Sequence, residues 1–264
     1  GVRSIVNGGV LLDDGWTLKA DVVINATGHI CGALNKRSRM SIQPDKGTVL
    51  VTERRLADVV LNRMRPPSDG DIIVPGHTTS LIGTTSSRSD STVPTRDEYG
   101  ALMREAKALL PDNKEIRIIR AFSGIRPLIG IGEGRALTRD YSIDDDGHGA
   151  ITVAGGKLTT YRLIAEAASD AAMRRLGERG KCRTKEPLPN ILKDEPDGSL
   201  LCNCERAASR LADMDFLRPG DKWKFNRIGF GACQGMRCAK NSGREAELLE
   251  ERWKGIKPVL DDIQ

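Results

Sequence analysis

The chain has 264 residues, 39% of them hydrophobic and 29% charged, which is enough apolar material for one large domain or two smaller ones. The net charge of +5 is mild, and Lys and Arg are spread along the chain rather than gathered into a basic stripe, which argues against nucleic acid as a partner. Aromatic residues make up only 4%, so stacking on bases or sugars is not a theme, and no run approaches the roughly 20 apolar residues of a membrane-spanning helix.

The chain opens without Met and without a signal peptide, so it reads as the interior of a longer polypeptide with the cytoplasm as its default location. Asn7-Gly8-Gly9 and Asp13-Asp14-Gly15 predict turns between short strands. Val22-Val23-Ile24 predicts a buried strand running into Asn25-Ala26-Thr27-Gly28, and Thr48 to Val51 predicts another. Ile72 to Val74 and Leu81 to Gly83 flank Pro75 to Ser80 as a hairpin would. Thr95 reads as a helix N-cap with Glu98 completing a capping box; Leu102, Ala106 and Leu109 follow at helical spacing, and Pro111 closes the segment. Ile116, Ile118 and Arg120 predict a strand. Ala150 to Ala154 predicts a strand running through Gly155-Gly156-Lys157 into a helix from about Thr159 to Leu176, with Leu163, Ala167 and Ala171 as its apolar stripe. Residues 181–199 read as a linker, and a compact unit begins near Leu200. Strands with few helices indicate an α+β (mixed α/β) fold.

The strand–Gly–Gly–helix unit carries one chemical possibility. Glycines allow close approach of a ligand, a helix start favours negative charge, and Lys157 adds a full cation there. The same residues also suit a plain βα turn with a surface lysine. No G-x-G-x-x-G fingerprint is present. Arg126, held between Ile125 and Pro127, and Arg139, in Leu137 to Tyr141, are guanidinium forks suited to phosphate or carboxylate; each could instead pair with an acid, as Arg139 with Asp140. The proton acceptor stays open among Lys157 and the lone histidines His29, His77 and His148.

Cys202, Cys204, Cys233 and Cys238 cluster in the last quarter as C-x-C and C-x4-C, a pattern for metal or redox chemistry rather than disulfides. Four thiolates suit a [2Fe–2S] cluster; Zn²⁺ is the alternative, although the spacing is not the C-x2-C of zinc ribbons. Cys31 and Cys182 read as small buried residues.

Together Phe122 to Leu128 (FSGIRPL), Leu137 to Tyr141 (LTRDY) and Gly155 to Arg162 (GGKLTTYR) resemble the FAD-linked glycerol-3-phosphate dehydrogenases, with support from Ile24 to Gly28, Lys46-Gly47 and Ser80 to Ser86. The cysteine segment resembles the [2Fe–2S] domain of bacterioferritin-associated ferredoxin, which is appended to the large subunit of the anaerobic members. The resemblance implies the C-terminal part of a flavoprotein like glutathione reductase or D-amino-acid oxidase: residues 1–180 as a partial FAD-dependent oxidoreductase with a mixed substrate-domain sheet, and 200–264 as the iron–sulfur domain. It implies Arg126, Arg139, Thr84 and Thr85 on the substrate glycerol 3-phosphate. It also implies Gly28, Gly155, Gly156, Lys157, Leu158 and Thr159 on FAD, Lys157 and Arg126 in catalysis, and the four cysteines on the cluster. Implied partners are a membrane-associated iron–sulfur subunit leading to quinone, through which the chain would sit at the inner face of the cell membrane, and an N-terminal FAD-binding portion without which this chain binds FAD poorly. Two other functions fit the same residues: a related flavin-dependent 2-hydroxy-acid or amino-acid oxidase, and a non-catalytic iron–sulfur electron-transfer subunit.

Overall fold

The structure, a computed structural model, describes residues 1–66, 68–76, 78–112, 115–132, 137, 140–187, 200–208, 227–229, 231, 235, 237–243 and 245–253. In chain order come β1 (Val2–Val6), β2 (Gly9–Leu12), β3 (Thr17–Lys19), β4 (Val23–Asn25), the short helix α1 (Cys31–Leu34), β5 (Ile42–Thr52), β6 (Leu61–Asn62), β7 (Ile72–Pro75), β8 (Ser80–Gly83) and β9 (Ser87–Arg88). Helix α2 (Arg96–Leu109), β10 (Ile118–Ile129), β11 (Tyr141–Asp145), β12 (Ala150–Gly155), helix α3 (Tyr161–Leu176), β13 (Leu200–Cys202), β14 (Ala207–Ala208) and helix α4 (Glu245–Trp253) follow. The chain divides into a first unit of residues 1–47, 86–91 and 124–189 and a second of 48–85, 92–123 and 190–264.

In the first unit, β1, β2 and β3 form the antiparallel meander expected from the two early turns. A second sheet has the order β11-β12-β4, antiparallel between β11 and β12 and parallel between β12 and β4. Residues 150–154 of β12 are all buried, which is why that strand reads as an unbroken run with no polar alternation. Helix α3 packs on this sheet through Ile164, Ala168, Ala171 and Ala172, against Ile151, Val153, Ile143 and Val22. Of the expected stripe Ala171 is buried, while Leu163, 49% exposed, and Ala167 give way to their neighbours Ile164 and Ala168. Small alanines bring the helix close to the sheet, so the buried face follows alanine rather than leucine. Gly177, at φ +72°, ends the helix as expected, with Glu178 N–H reaching back to the Met173 carbonyl at 2.9 Å.

Polar anchors hold the far end of this sheet. The Asn35 amide donates to Thr152 Oγ1 at 3.1 Å, and Asp144 accepts the backbone N–H of Arg39 at 2.9 Å and its guanidinium at 2.9 and 3.1 Å. Burial pushes the Asp144 carboxyl up, but the Arg39 amide and guanidinium outweigh it and hold it below the usual carboxylate range.

In the second unit, the main sheet has the order β10-β5-β8-β7-β6. Its core is Leu50, Ile73 and Ile82 from the strands, Leu102 and Ala106 from α2, with Ile116 and Ala121. The β7–β8 hairpin forms where the turn residues place it, with Gly76 N–H donating to the Thr79 carbonyl at 2.8 Å. The capping box at the start of α2 is complete: Glu98 N–H donates to Thr95 Oγ1 at 3.3 Å and Thr95 N–H donates to Glu98 Oε2 at 2.9 Å.

Two strands outrun the sequence pattern. The pattern predicts β5 from Thr48, but the strand begins at Ile42, and its added residues Gln43, Asp45 and Lys46 are buried despite their polarity. β10, expected to stop near Arg120, continues through Ser123 to Leu128. Gly124, Arg126 and Pro127 interrupt the apolar alternation there. A proline is tolerated because β10 is the edge strand of the order, where a missing N–H breaks no ladder. Of the expected linker, residues 188–199 lie outside the described residues.

Two outcomes follow. Thr95→Ala should lower stability by about 1 kcal/mol in urea unfolding while Thr95→Ser retains most of it, because the hydroxyl caps the helix. Stability should also fall as the pH drops through the depressed Asp144 titration, since a carboxylate of lowered folded pKa stabilises only above it. Asp144→Asn should flatten that acid limb, and an unchanged slope would show that the acid loss arises elsewhere.

Candidate active site

The Gly155-Gly156 turn is built as a close fit. Both glycines have positive φ, +77° and +81°. A Cβ on Gly155 would collide with the Asp140 carbonyl oxygen and lie 2.9 Å from Ile129 Cδ1, and one on Gly156 would collide with Ile164 Cδ1. The glycines are thus required by conformation and by packing. The helix expected directly after them is preceded by a 3₁₀ turn, Leu158–Thr160. The Lys157 N–H is already taken by Thr160 Oγ1 at 3.0 Å, so it is not one of the open donors expected at a helix start. Lys157, Leu158 and Thr159 are exposed, Leu158 by 87%.

Facing this turn is the end of β10. A cavity of about 320 Å³ is lined by residues 125–128 and 155–157, so the IRPL and GGK segments form its walls, with Arg126 and Lys157 as cations among its described lining. That volume is at the lower end of small-molecule sites, room for a ring system or a small substrate but not a whole dinucleotide. A larger cavity of about 470 Å³ lies against α3 beside Ile143, Asp145 and Arg174; none of the candidate residues lines it, and the chemistry favours the smaller one.

Arg126 is not a loose surface arginine. Its Nη1 donates to Asp45 Oδ2 at 2.6 Å, and Ser86 Oγ donates to Asp45 Oδ1 at 2.6 Å. Asp45 is 2% exposed. Arg126 therefore does have an acid partner, but it comes from β5, far away in sequence. Neither Asp45 nor Ser86 is marked as a site residue by the motifs, which begin beside the acid at Lys46-Gly47; the available signal is an acid inside an otherwise strand-like run.

The other candidates fall elsewhere. Gly28 has φ +71° and a polar turn that closes on itself: Asn25 donates to the Cys31 carbonyl at 2.9 Å and accepts from Thr27 Oγ1 at 2.7 Å. Thr84 and Thr85 belong to the second unit, where buried Thr85 Oγ1 accepts the Thr48 N–H at 2.9 Å and ties β5 to the end of β8. His29 is in the 3₁₀ turn Gly28–Ile30, and the His148 N–H donates to Asp146 Oδ1 at 2.7 Å. Cys31 is buried as expected, which pushes its thiol pKa up. Arg139 and His77 lie outside the described residues.

Near the C-terminus, Cys202 and Cys238 are buried in one small cluster with Ala207, Ile228, Ala239 and Leu248, and Cys204 packs against it. None of the three is disulfide-bonded. A Cβ on Gly231 would come within 3.0 Å of Cys204 Cβ, so the chain two residues before Cys233 lies against Cys204. Cys233 itself lies outside the described residues. Among the described residues no three His, Cys, Asp or Glu side chains form a metal-holding group. Cys202, Cys204 and Cys238 are thus neighbours through one apolar cluster.

The fold and this turn define a flavoprotein of known type. Residues 1–162 match the family described as FAD dependent oxidoreductase, and the chain belongs to that family. It is 35% identical to a subunit of the anaerobic glycerol-3-phosphate dehydrogenase of Escherichia coli (strain K12), over 92% of this chain and 58% of that protein. It is 30% identical to the mitochondrial glycerol-3-phosphate dehydrogenase of Mus musculus over 62% of this chain and 25% of that protein. Among solved structures, the glycerol-3-phosphate dehydrogenase from Bacillus halodurans complexed with FAD matches with a TM-score of 0.56 at 26% identity, covering 70% of this chain and 40% of that one. The chain thus spans a little over half the length of its Escherichia coli relative.

Gly155→Ala should cost about 2 kcal/mol or more in unfolding free energy, because the added methyl is strained by φ and blocked by backbone. Gly124→Ala, with open space around its Cβ and no positive φ, should change stability by about 0.5 kcal/mol or less. Equal losses at both positions would contradict this packing.

Proposed function

We propose that this chain is the C-terminal part of an FAD-dependent glycerol-3-phosphate dehydrogenase of the anaerobic type. It oxidises sn-glycerol 3-phosphate to dihydroxyacetone phosphate, and the electrons leave through a [2Fe–2S] cluster towards a quinone-linked partner subunit. The observation that carries the proposal is the cavity walled by the IRPL and GGK segments, with both Arg126 and Lys157 on it. Alignment with the Escherichia coli relative supports the anaerobic type: it leaves out only about a twelfth of the chain and so must run through Cys202 to Cys238.

The residues fit the flavin ring end of FAD. Gly155 and Gly156 leave no side chain in the way, Lys157 offers a cation, and Leu158 and Tyr161 present exposed apolar surface. FAD, when bound, supplies the two-electron acceptor for the hydrogen at C2 of the substrate. Arg126, with Arg139, binds the phosphate, whose charge and geometry suit guanidinium forks. Lys157 stabilises negative charge developing at the reacting end. The C2 hydroxyl proton passes to a base on the substrate side. Cys202, Cys204, Cys233 and Cys238 ligate the cluster. No helix among the described residues is long and apolar enough to cross a membrane; membrane association is assigned to the partner subunits.

The test uses the chain joined to its N-terminal FAD-binding portion, with an artificial electron acceptor. Glycerol 3-phosphate should reduce the acceptor; Lys157→Met should lower kcat by about a hundredfold, and Arg126→Gln should raise KM by about tenfold or more. A chain that reduces no acceptor refutes the proposal, and an Arg139→Ala variant with unchanged substrate affinity would favour a flavin oxidase acting on a substrate without phosphate. Anaerobic purification should give about two iron per chain, lost in Cys202→Ser; zinc without iron would overturn the cluster assignment.

A further inference from the structure

Arg126 is held with more care than an arginine needs merely to be neutralised. Both oxygens of Asp45 are engaged, Oδ2 by Arg126 Nη1 and Oδ1 by Ser86 Oγ, each at 2.6 Å. The backbone behind them is fixed, since Asp45 and Lys46 of β5 pair with Arg88 and Ser87 of β9. The guanidinium lies directly on Gly47: a Cβ there would be 2.6 Å from Arg126 Cζ and would collide with Nη2. Gly47 shows no left-handed φ, so its lack of a side chain serves the arginine and not a turn. With the Asp45 side chain 3% exposed and that of Arg126 26% exposed, the acid is sealed inside while the cation keeps an open face on the cavity.

We infer that Asp45 is a positioning residue, braced by Ser86, that aims Arg126 across Gly47 at the phosphate of the substrate. This rests on the proposed reaction and deepens it by naming what sets phosphate affinity. The sign of the effect is the informative part. A carboxylate beside a phosphate-binding arginine withdraws positive potential and, by charge alone, weakens anion binding. A guanidinium anchored at one end loses less freedom on binding, and that preorganisation strengthens it. The geometry favours the second effect: the buried carboxylate is turned from the cavity, which it does not line, while the arginine lines it.

The test measures inorganic phosphate binding by calorimetry and glycerol 3-phosphate kinetics on the FAD-loaded protein. Asp45→Asn and Gly47→Ala should each raise the phosphate Kd and the substrate KM by about tenfold, the loss expected when a charge-assisted bond or its geometry goes. kcat should change by about threefold or less. In an Arg126→Gln background neither substitution should add anything, because each acts through the arginine. If Asp45→Asn fails to fold, Ser86→Ala and Gly47→Ala carry the same comparison. Unchanged or tighter phosphate binding in Asp45→Asn overturns the inference, as does a loss that persists without Arg126. Absence of phosphate binding by the unsubstituted protein overturns it too. Asp45-dependent phosphate binding without glycerol 3-phosphate turnover would leave the positioning role intact and refute only the proposed reaction.

Discussion

Two consecutive glycines with positive φ decide where β12 stops and what can stand beside it. At Gly155 the backbone of Asp140 and the side chain of Ile129 occupy the space of a side chain, and at Gly156 Ile164 of α3 does so. This contact draws the end of β10, the start of β11 and the helix into one joint. The cavity wall follows from it: residues 155–157 can face residues 125–128 only because nothing protrudes from the turn. The 3₁₀ turn at Leu158–Thr160 then turns Lys157 and Leu158 outward before α3 begins. Backbone conformation and packing by themselves already require glycine at both positions.

The signals legible in the sequence are local ones. The capping box at Thr95, the glycine turns of the first meander and the hairpin at Pro75 to Ser80 each depend on residues a few positions apart, and each forms as expected. Type and place of β12 and α3 are equally plain, because a fully buried strand ending in glycines has few alternatives. On α3 the stripe the sequence suggests holds at Ala171 but shifts by one residue at Leu163 and Ala167, where Ile164 and Ala168 face the sheet instead. The packing rewards the small side chains that allow close approach.

Long-range pairing is not legible. Asp45 and Arg126 lie 81 positions apart, and nothing near either one announces the other. Burying a carboxylate costs heavily unless it is paired and hydrogen-bonded. The run around Asp45 therefore looks like a poor strand until its partner is known. The same fact hides the extent of β10, whose Gly124, Arg126 and Pro127 look like a break in a strand. The residues that most obscure the strand pattern are those gathered at the cavity or bracing its arginine, as expected where local preference yields to a site.

The cysteine segment is limited by size. Among the described residues its buried apolar cluster holds Cys202, Ala207, Ile228, Cys238, Ala239 and Leu248, with Leu201 and Cys204 packed against it. The described residues of this cluster contribute little burial by themselves, and small units commonly gain cohesion from a disulfide or a metal. Among the described cysteines no disulfide is present. Thiolates held together by iron would supply the missing free energy, because metal binding to such a unit is also folding free energy. In that case the ligands and the fold of the segment stand or fall together. On the proposed reading, loss of one cysteine would unfold the segment as well as empty the cluster site, which would tie the proposed electron exit to the stability of the unit that carries it.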